Sequence, residues 1–316
     1  MDAQSFIREI ARVREGACGL TYPAALRMFD ALFGGGLADV EVGAILAGLR
    51  IRGESLEEVR AGLDVLEPLL LRVPVDASRP VVSIPSYAGA RDTANLVPLL
   101  ACLLADAGVQ VVIHGVTGDP DRTTSAEILQ AMGLGPVNGM EQAQAALARH
   151  DPAFLPVRTL SPRLAALLDL RRVLGLSNVG HTLVHLINPT DSPVCLRIAS
   201  FTRPEAHRLQ HAYFGSAGIP ALLLRATEGE PVASTRRGGQ IDWLHEGLCD
   251  VLVPAQAGPL RDLPALPDPH DAPATARWIQ SVLAGERPVP DPIEQQVAAV
   301  LQAVGLKPLA HSAVPA

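Results

Sequence analysis

The chain has 316 residues, 48% apolar and 19% charged, which supplies one large or two modest cores and excludes a disordered polypeptide. Cys18, Cys102, Cys195 and Cys249 stand far apart with no CxxC pair, so no disulfide framework or zinc ribbon is readable and a reducing, cytoplasmic compartment is expected. The acidic, polar start has no signal-like apolar run, and the longest uncharged apolar run, 93–105, is shorter than the roughly 20 residues of a membrane span, so a soluble, unexported protein without a membrane partner is expected.

The net charge of −7 argues against nucleic acid as a partner, but its distribution does not. Between Arg158 and His211 seven arginines (158, 163, 171, 172, 197, 203, 208) oppose Asp169, Asp191 and Glu205, giving that stretch +4 and leaving −11 elsewhere. It also holds four of the nine histidines. Lys307 is the single lysine, so nearly all positive charge is planar guanidinium, suited to forked contacts with phosphate or carboxylate. A GC-rich genome would produce the same arginine bias.

The first seventy residues read as helices. Phe6, Ile10 and Val13 follow a helical period, as do Leu26, Phe29 and Phe33 after a Thr21-Tyr22-Pro23 start. Asp39 is a candidate cap for a third helix carrying Val42, Ile45, Leu46 and Leu49, and Ser55 with Glu58 forms a capping box ahead of Val59, Leu63, Leu66 and Leu70. At Val73-Pro74 the period changes. Strand-like runs at 81–84, 109–113, 154–157, 194–198, 221–224 and 251–253 alternate with helical stretches at 95–107, 125–132, 204–214, 272–284 and 292–304. That alternation predicts a mainly parallel sheet with crossover helices. Two helical segments, 162–174 and 180–186, interrupt it and are read as a return to the helical domain. The Pro-rich stretch 254–273 is read as a surface excursion. The fold class is therefore α/β: a small all-helical domain (1–72, with a return segment 160–188) and a large α/β domain (73–159 and 189–316).

Two constellations stand out. The first is a polar loop, Ser86, Tyr87, Gly89, Arg91 and Asn95, after a strand and ahead of a buried helix, where amides can cradle an anion; His114 and Gly115 end the next strand. It holds one glycine and matches neither a P-loop nor a dinucleotide fingerprint, and an ordinary strand-to-helix turn fits as well. The second is the helix after Thr202, with a further capping box (Thr202 with Glu205). Arg203, His207 and His211 step along one face beside Arg208, and Ala206, Leu209 and Tyr213 form an apolar stripe. Phosphate contact, a solvated polar face, or chelation by the two histidines are the readings, and the absence of a further ligand at metal spacing disfavours zinc.

These segments resemble the anthranilate phosphoribosyltransferase family over nearly the whole chain. Residues 44–55, AILAGLRIRGES, are similar to the family's ALRxKGE segment, and Arg171-Arg172-Val173-Leu174-Gly175 with Asn188-Pro189 is similar to its RRxLG…NP region. The resemblance implies a nucleoside phosphorylase / phosphoribosyltransferase-like architecture and a homodimer paired through the helical domains. Where the enzymes carry GTGGD, this chain reads Pro85-Ser86-Tyr87-Ala88-Gly89-Ala90, in which proline and tyrosine lack glycine's backbone freedom. Asn95 matches the asparagine of NxS and His114-Gly115 part of KHGNR, but Ile113, Val116 and Thr117 replace its polar positions. The magnesium-binding acid pair falls near Thr227-Glu228-Gly229-Glu230, where the carboxylates are not adjacent. The run PSYxGARxxAN…HGVxxDPxR resembles the family's DNA-binding branch, which implies nucleic-acid binding without transferase activity.

The expectation is a sequence-tolerant DNA-binding protein, with RNA a further partner, that contacts phosphate through Arg171, Arg172, Arg197, Arg203, His207, Arg208 and His211. It keeps a residual ligand loop and uses no metal or other cofactor. The alternative is an active phosphoribosyltransferase using phosphoribosyl pyrophosphate, magnesium and anthranilate or another acceptor, for which Arg171 matches the arginine associated with the anthranilate carboxylate.

Overall fold

A computed structural model describes residues 3–12, 19–258 and 263–307. Val13, Cys18 and part of the 254–273 excursion lie outside the described residues. In chain order the elements begin with α1 (Ala3–Ile10), α2 (Tyr22–Gly34), α3 (Asp39–Arg52) and α4 (Leu56–Leu66). There follow β1 (Val81–Ser86), α5 (Val97–Asp106), β2 (Gln110–Gly115), α6 (Ser125–Ala131), α7 (Met140–Ala148) and β3 (Ala153–Pro156). Short helices come next: α8 (Val157–Leu160), α9 (Pro162–Asp169), α10 (Arg171–Leu174) and α11 (Val179–Leu183). The chain closes with β4 (Leu196–Phe201), α12 (Pro204–Ala217), β5 (Ala221–Arg225), β6 (Ile241–His245), β7 (Leu248–Val253), α13 (Ala272–Leu283) and α14 (Asp291–Ala303). Two units form: the described residues of Met1–Arg72 with Val157–Pro189, and those of Val73–Pro156 with Thr190–Ala316.

The helical unit is packed around Phe6, Ile10, Met28, Phe29, Ile45, Leu46, Leu49 and Leu66, all essentially excluded from solvent. Its polar anchor is Glu58. The carboxylate is fully buried, pairs with Arg52, and accepts from Ser55 N at 2.8 Å and Leu20 N at 2.9 Å, while Ser55 Oγ accepts from Glu58 N at 3.3 Å. The end of the segment read as a motif, 44–55, together with the Ser55–Glu58 box forms a helix junction: α3 ends at Gly53 (φ +86°), and the capping box reopens the chain as α4. Asp39 is not the cap of α3; Ala38 is, its N–H given to Glu41 Oε2 at 2.9 Å, and Asp39 is the first helical residue.

In the other unit seven strands lie in the order β3-β2-β1-β4-β5-β6-β7. The first five in that order are parallel, and β6 and β7 turn back antiparallel. β1 and β2 are buried along their whole length, which is why they read as continuous apolar runs. α5 is buried nearly all round, and with Ile279, Val300 and Phe154 it completes the core. Strand β6 and helix α7 carry no clear signal in the sequence. Asp242 interrupts the apolar character of β6, and α7 buries only Ala143, Ala146 and Leu147. Parallel strands send all their exit loops to one end of the sheet, so the loops after β1, β2, β4 and β5 share an edge, the usual place for a ligand in such sheets.

Candidate functional site

The loop leaving β1 is closed by carboxylates of its own chain. Ala88 N and Gly89 N donate to Glu230 Oε1 at 2.8 and 2.6 Å. Arg91 N donates to Glu228 Oε2 at 2.7 Å, Asp92 N to both Glu228 oxygens at 3.1 Å, and Thr93 Oγ1 to Glu228 Oε1 at 2.6 Å. Both acids come from the loop after β5, where Glu228 (φ +54°) and Gly229 (φ +100°) bend the backbone so that the two side chains diverge to different parts of the β1 loop. The amides that would cradle an anion are therefore engaged. They also belong to the loop rather than to a helix N-terminus, since α5 begins only at Val97.

The rest of the loop is fixed by buried polar contacts. Ser86 Oγ and Asn95 Nδ2 meet Ser125 Oγ at 2.7 and 3.0 Å, and Tyr87 OH lies 2.8 Å from His114 Nδ1. His114 is buried, so the strand-end histidine is a structural partner of Tyr87. Gly89 has φ +64° with Thr123 O 3.0 Å from where a Cβ would stand, and a Cβ on Gly115 would collide with Ser86 O. Arg122 Nη1 ties the assembly together, donating to Gly89 O at 3.3 Å and Glu228 O at 3.4 Å. Arg91, expected to face a bound anion, extends an exposed side chain beside Asp92 at 3.9 Å.

Electrostatics separate the two acids. Burial pushes the Glu230 carboxyl above its ordinary 4.5 despite the amides it accepts from. Burial acts the same way on Glu228, but hydrogen bonds from Thr93, Arg91 and Asp92 outweigh it and hold that carboxyl below 4.5. Burial also raises the Tyr87 hydroxyl well above 10, which keeps it a neutral hydrogen-bonding group.

The basic residues are dispersed. Arg171 and Arg172 are exposed on α10 in the helical unit, and Arg203, His207, Arg208 and His211 are on α12 or at its start in the α/β unit. Arg197 is not a surface residue. It sits within β4 at 7% exposure, so it leaves the set of phosphate contacts. The Thr202–Glu205 capping box does not form either: Arg203 is the N-cap of α12, with no side-chain cap bond. The helix is also turned by one residue from the expected face. Gln210 and Phe214 are buried, Gln210 Nε2 donates to Ser200 O at 3.0 Å, and Ala206, Leu209 and Tyr213 stay partly exposed. His207 consequently faces the sheet, its ring centroid 4.5 Å from that of Phe201 and its Nε2 3.9 Å from Asp242 Oδ2. The His207 and His211 rings stand 6.0 Å apart. Arg208 pairs with Glu205 at 3.4 Å and Arg158 with Asp169 at 2.6 Å, whereas Arg163, Arg171, Arg172 and Arg203 are exposed and form no ion pair with a described residue.

Sequence reasoning misses Glu228 and Glu230 as occupants of the loop, together with Ser125 and Arg122 as its supports. The only signal is the displaced acid pair itself, which the spacing reveals as broken but does not place on amides about 140 residues away.

A small helical unit and a large unit built on a mainly parallel sheet are the architecture of the anthranilate phosphoribosyltransferase fold. The family described as "Glycosyl transferase family, helical bundle domain" matches residues 8–66. Among solved structures, anthranilate phosphoribosyltransferase from Thermus thermophilus superposes with a TM-score of 0.77 at 24% identity, covering 96% of this chain and 90% of that one. The chain belongs to the anthranilate phosphoribosyltransferase-like family, and it is 36% identical over 306 residues to "Uncharacterized protein YbiB" of Escherichia coli (strain K12), spanning 96% of this chain and 95% of that protein. The anthranilate phosphoribosyltransferase of Persephonella marina is 31% identical over 163 residues, 51% of this chain and 48% of the enzyme. Among the described residues no helix is long and apolar enough to cross a membrane.

Proposed function

We propose that this protein binds nucleic acid, DNA first and RNA second, through its phosphate backbone and without sequence preference, and that it does not transfer phosphoribosyl groups. The observation that carries the reading is the set of exposed guanidiniums at Arg163, Arg171, Arg172 and Arg203, none of them ion-paired with a described residue. An exposed, uncompensated guanidinium is the group that gains most from a phosphate oxygen, since no internal partner has to be released. Arg208 joins Arg203 once Glu205 gives way and His211 contributes from the same helix, whereas His207, turned to Phe201 and Asp242, does not.

The closed β1 loop supports the second half of the reading. A diphosphate needs the amides that Glu228 and Glu230 occupy, and its own charge would be repelled by them. The same two carboxylates point to separate stretches of the loop, so they do not fit a magnesium–diphosphate clamp. The cytoplasm is the compartment in which such a protein meets its ligand.

A homodimer through the helical unit accompanies this proposal. Val40, Ile51 and Val173 are 78%, 77% and 80% exposed on that unit, apolar side chains that a second copy would cover. Light scattering at micromolar concentration is expected to give twice the chain mass.

The test of function is fluorescence anisotropy with labelled single- and double-stranded oligonucleotides, beside an assay of phosphoribosyl pyrophosphate consumption with magnesium and anthranilate. Binding to all oligonucleotides without consumption is the expected result. Magnesium-dependent turnover lost on Arg171→Ala would establish the transferase instead.

A further inference from the structure

The loop between β5 and β6 forms the wall of a cavity that the family resemblance does not account for. Its volume is about 440 Å³, and it opens beside the end of β5. Leu224, Ala226, Ala233 and Ile241 give it an apolar floor, and Arg225, Arg236 and Arg237 line it with three exposed guanidiniums. None of the three is ion-paired with a described residue. Arg236 and Arg237 also line an adjoining cavity of about 360 Å³ with Gln256 and Gly258, so they stand between two spaces. The turn that presents them is defined, because Arg236 N donates to Ser234 Oγ at 3.3 Å and Arg237 N to Ser234 O at 3.4 Å. Two acids also line the first cavity. The Glu228 carboxylate accepts from Arg91 N, Asp92 N and Thr93 Oγ1 and keeps its charge, so three guanidiniums face two carboxylates, one of them held against the β1 loop.

An apolar floor with a cationic rim suits an amphiphilic anion. The volume lies within the range of small-molecule pockets, and forked guanidiniums match phosphate geometry. A bare inorganic ion would leave the floor unused, and a continuous nucleic-acid strand would meet the rim but reach the floor only with an end. We propose that this cavity is a mononucleotide site, holding the phosphates of a nucleoside mono- or diphosphate on Arg225, Arg236 and Arg237 and its nucleoside on the apolar floor. The site adjoins the closed β1 loop, with which it shares Asp92, Thr93 and Glu228, but it takes phosphate on side chains and not on the loop's amides. It is independent of the nucleic-acid reading, which rests on other arginines.

The test is calorimetric titration of the full-length protein with ADP, and in parallel with inorganic pyrophosphate, at low salt. ADP is expected to bind with one site per chain and at least tenfold more tightly than pyrophosphate. The double variant Arg236→Gln, Arg237→Gln, at exposed positions, is expected to keep the wild-type melting temperature and to weaken ADP at least tenfold. The variant Arg203→Glu, Arg208→Glu is expected to leave ADP binding as in the wild type, so failure of the nucleic-acid reading and failure of this one are distinguishable. Absence of ADP binding, equal affinity for pyrophosphate, or unchanged binding in the Arg236/Arg237 double variant would each overturn the proposal.

Discussion

The loops after β1 and β5 leave the same end of one sheet and treat negative charge in opposite ways. The β1 loop offers backbone amides, and these are satisfied by Glu228 and Glu230. The end of β5 and the loop after it, which delivers those carboxylates, carry Arg225, Arg236 and Arg237, none of them ion-paired with a described residue. Within one unit, the backbone donors at this edge of the sheet are satisfied internally, while the cationic side chains beside them are not ion-paired with described residues. Amides form a cradle of fixed shape, whereas exposed guanidiniums can adjust to the phosphate group they meet.

The largest effect is expected in the helical unit, where another buried carboxylate accepts from amides but also has a cation. Arg52→Ala leaves Glu58 buried with its amide donors and no paired cation, close to the situation in which Glu230 is found. The expected cost is about 3–5 kcal/mol, read by chemical denaturation. A loss below about 1 kcal/mol would show that amides alone suffice, and would weaken the contrast drawn between the two acids.

Acid sensitivity of the same unit follows next. Burial lowers both His181 and His185 to about 4, with Arg171 adding to the effect at His181. Their folded values lie below the unfolded 6.5, so the unfolded chain binds more protons between the two, and stability is lost as pH falls from about 6.5 to 4. Each ring accounts for at most about 3 kcal/mol, since a tenfold change in proton affinity is worth roughly 1.4 kcal/mol. His185→Leu is expected to flatten the pH dependence of the melting temperature in that window; an unaltered profile contradicts the assignment.

At the β1 loop, Glu230→Ala removes the acceptor of Ala88 N and Gly89 N and is expected to destabilise by about 1–3 kcal/mol. Because the cradle is then open, millimolar pyrophosphate is expected to raise the melting temperature of the variant by more than that of the wild type. An equal rise in both, or a rise in neither, would mean that Glu230 does not stand in for an anion. The pH sign differs from that of the histidines: the folded Glu230 value is raised above 4.5, so its contribution is fully present below 4.5 and is lost as pH rises through the folded value. Glu230→Gln should remove that slope.

Much of this architecture is legible in the sequence, and what is not has physical reasons. β1 to β5 announce themselves because buried parallel strands are short apolar runs, and β7 does so through Val251, Leu252 and Val253. β6 is hidden by Asp242 and by the half-exposed Trp243 and His245, which suit a strand near the sheet's antiparallel edge. The Ser55–Glu58 box is readable because both partners are local. The face of α12 is not, since its rotation is set by Gln210 reaching Ser200 O and by Phe214, contacts between elements. Arg197 counts as surface charge for the same reason, as composition records sign but not depth. The occupants of the β1 loop come from about 140 residues downstream, and no spacing rule connects them.

The smallest effect per residue, and the most direct test, concerns the salt dependence of nucleic-acid binding. Affinities for several unrelated oligonucleotides would be measured from low to physiological salt, with the wild type and with Arg203→Glu, Arg208→Glu. The account predicts parallel lines of log K against log salt for all sequences, with the magnitude of the slope falling by about 0.7–0.9 for each phosphate that the variant no longer neutralises. Binding that is insensitive to salt, that depends on sequence, or that is identical in wild type and variant at every salt concentration would contradict it.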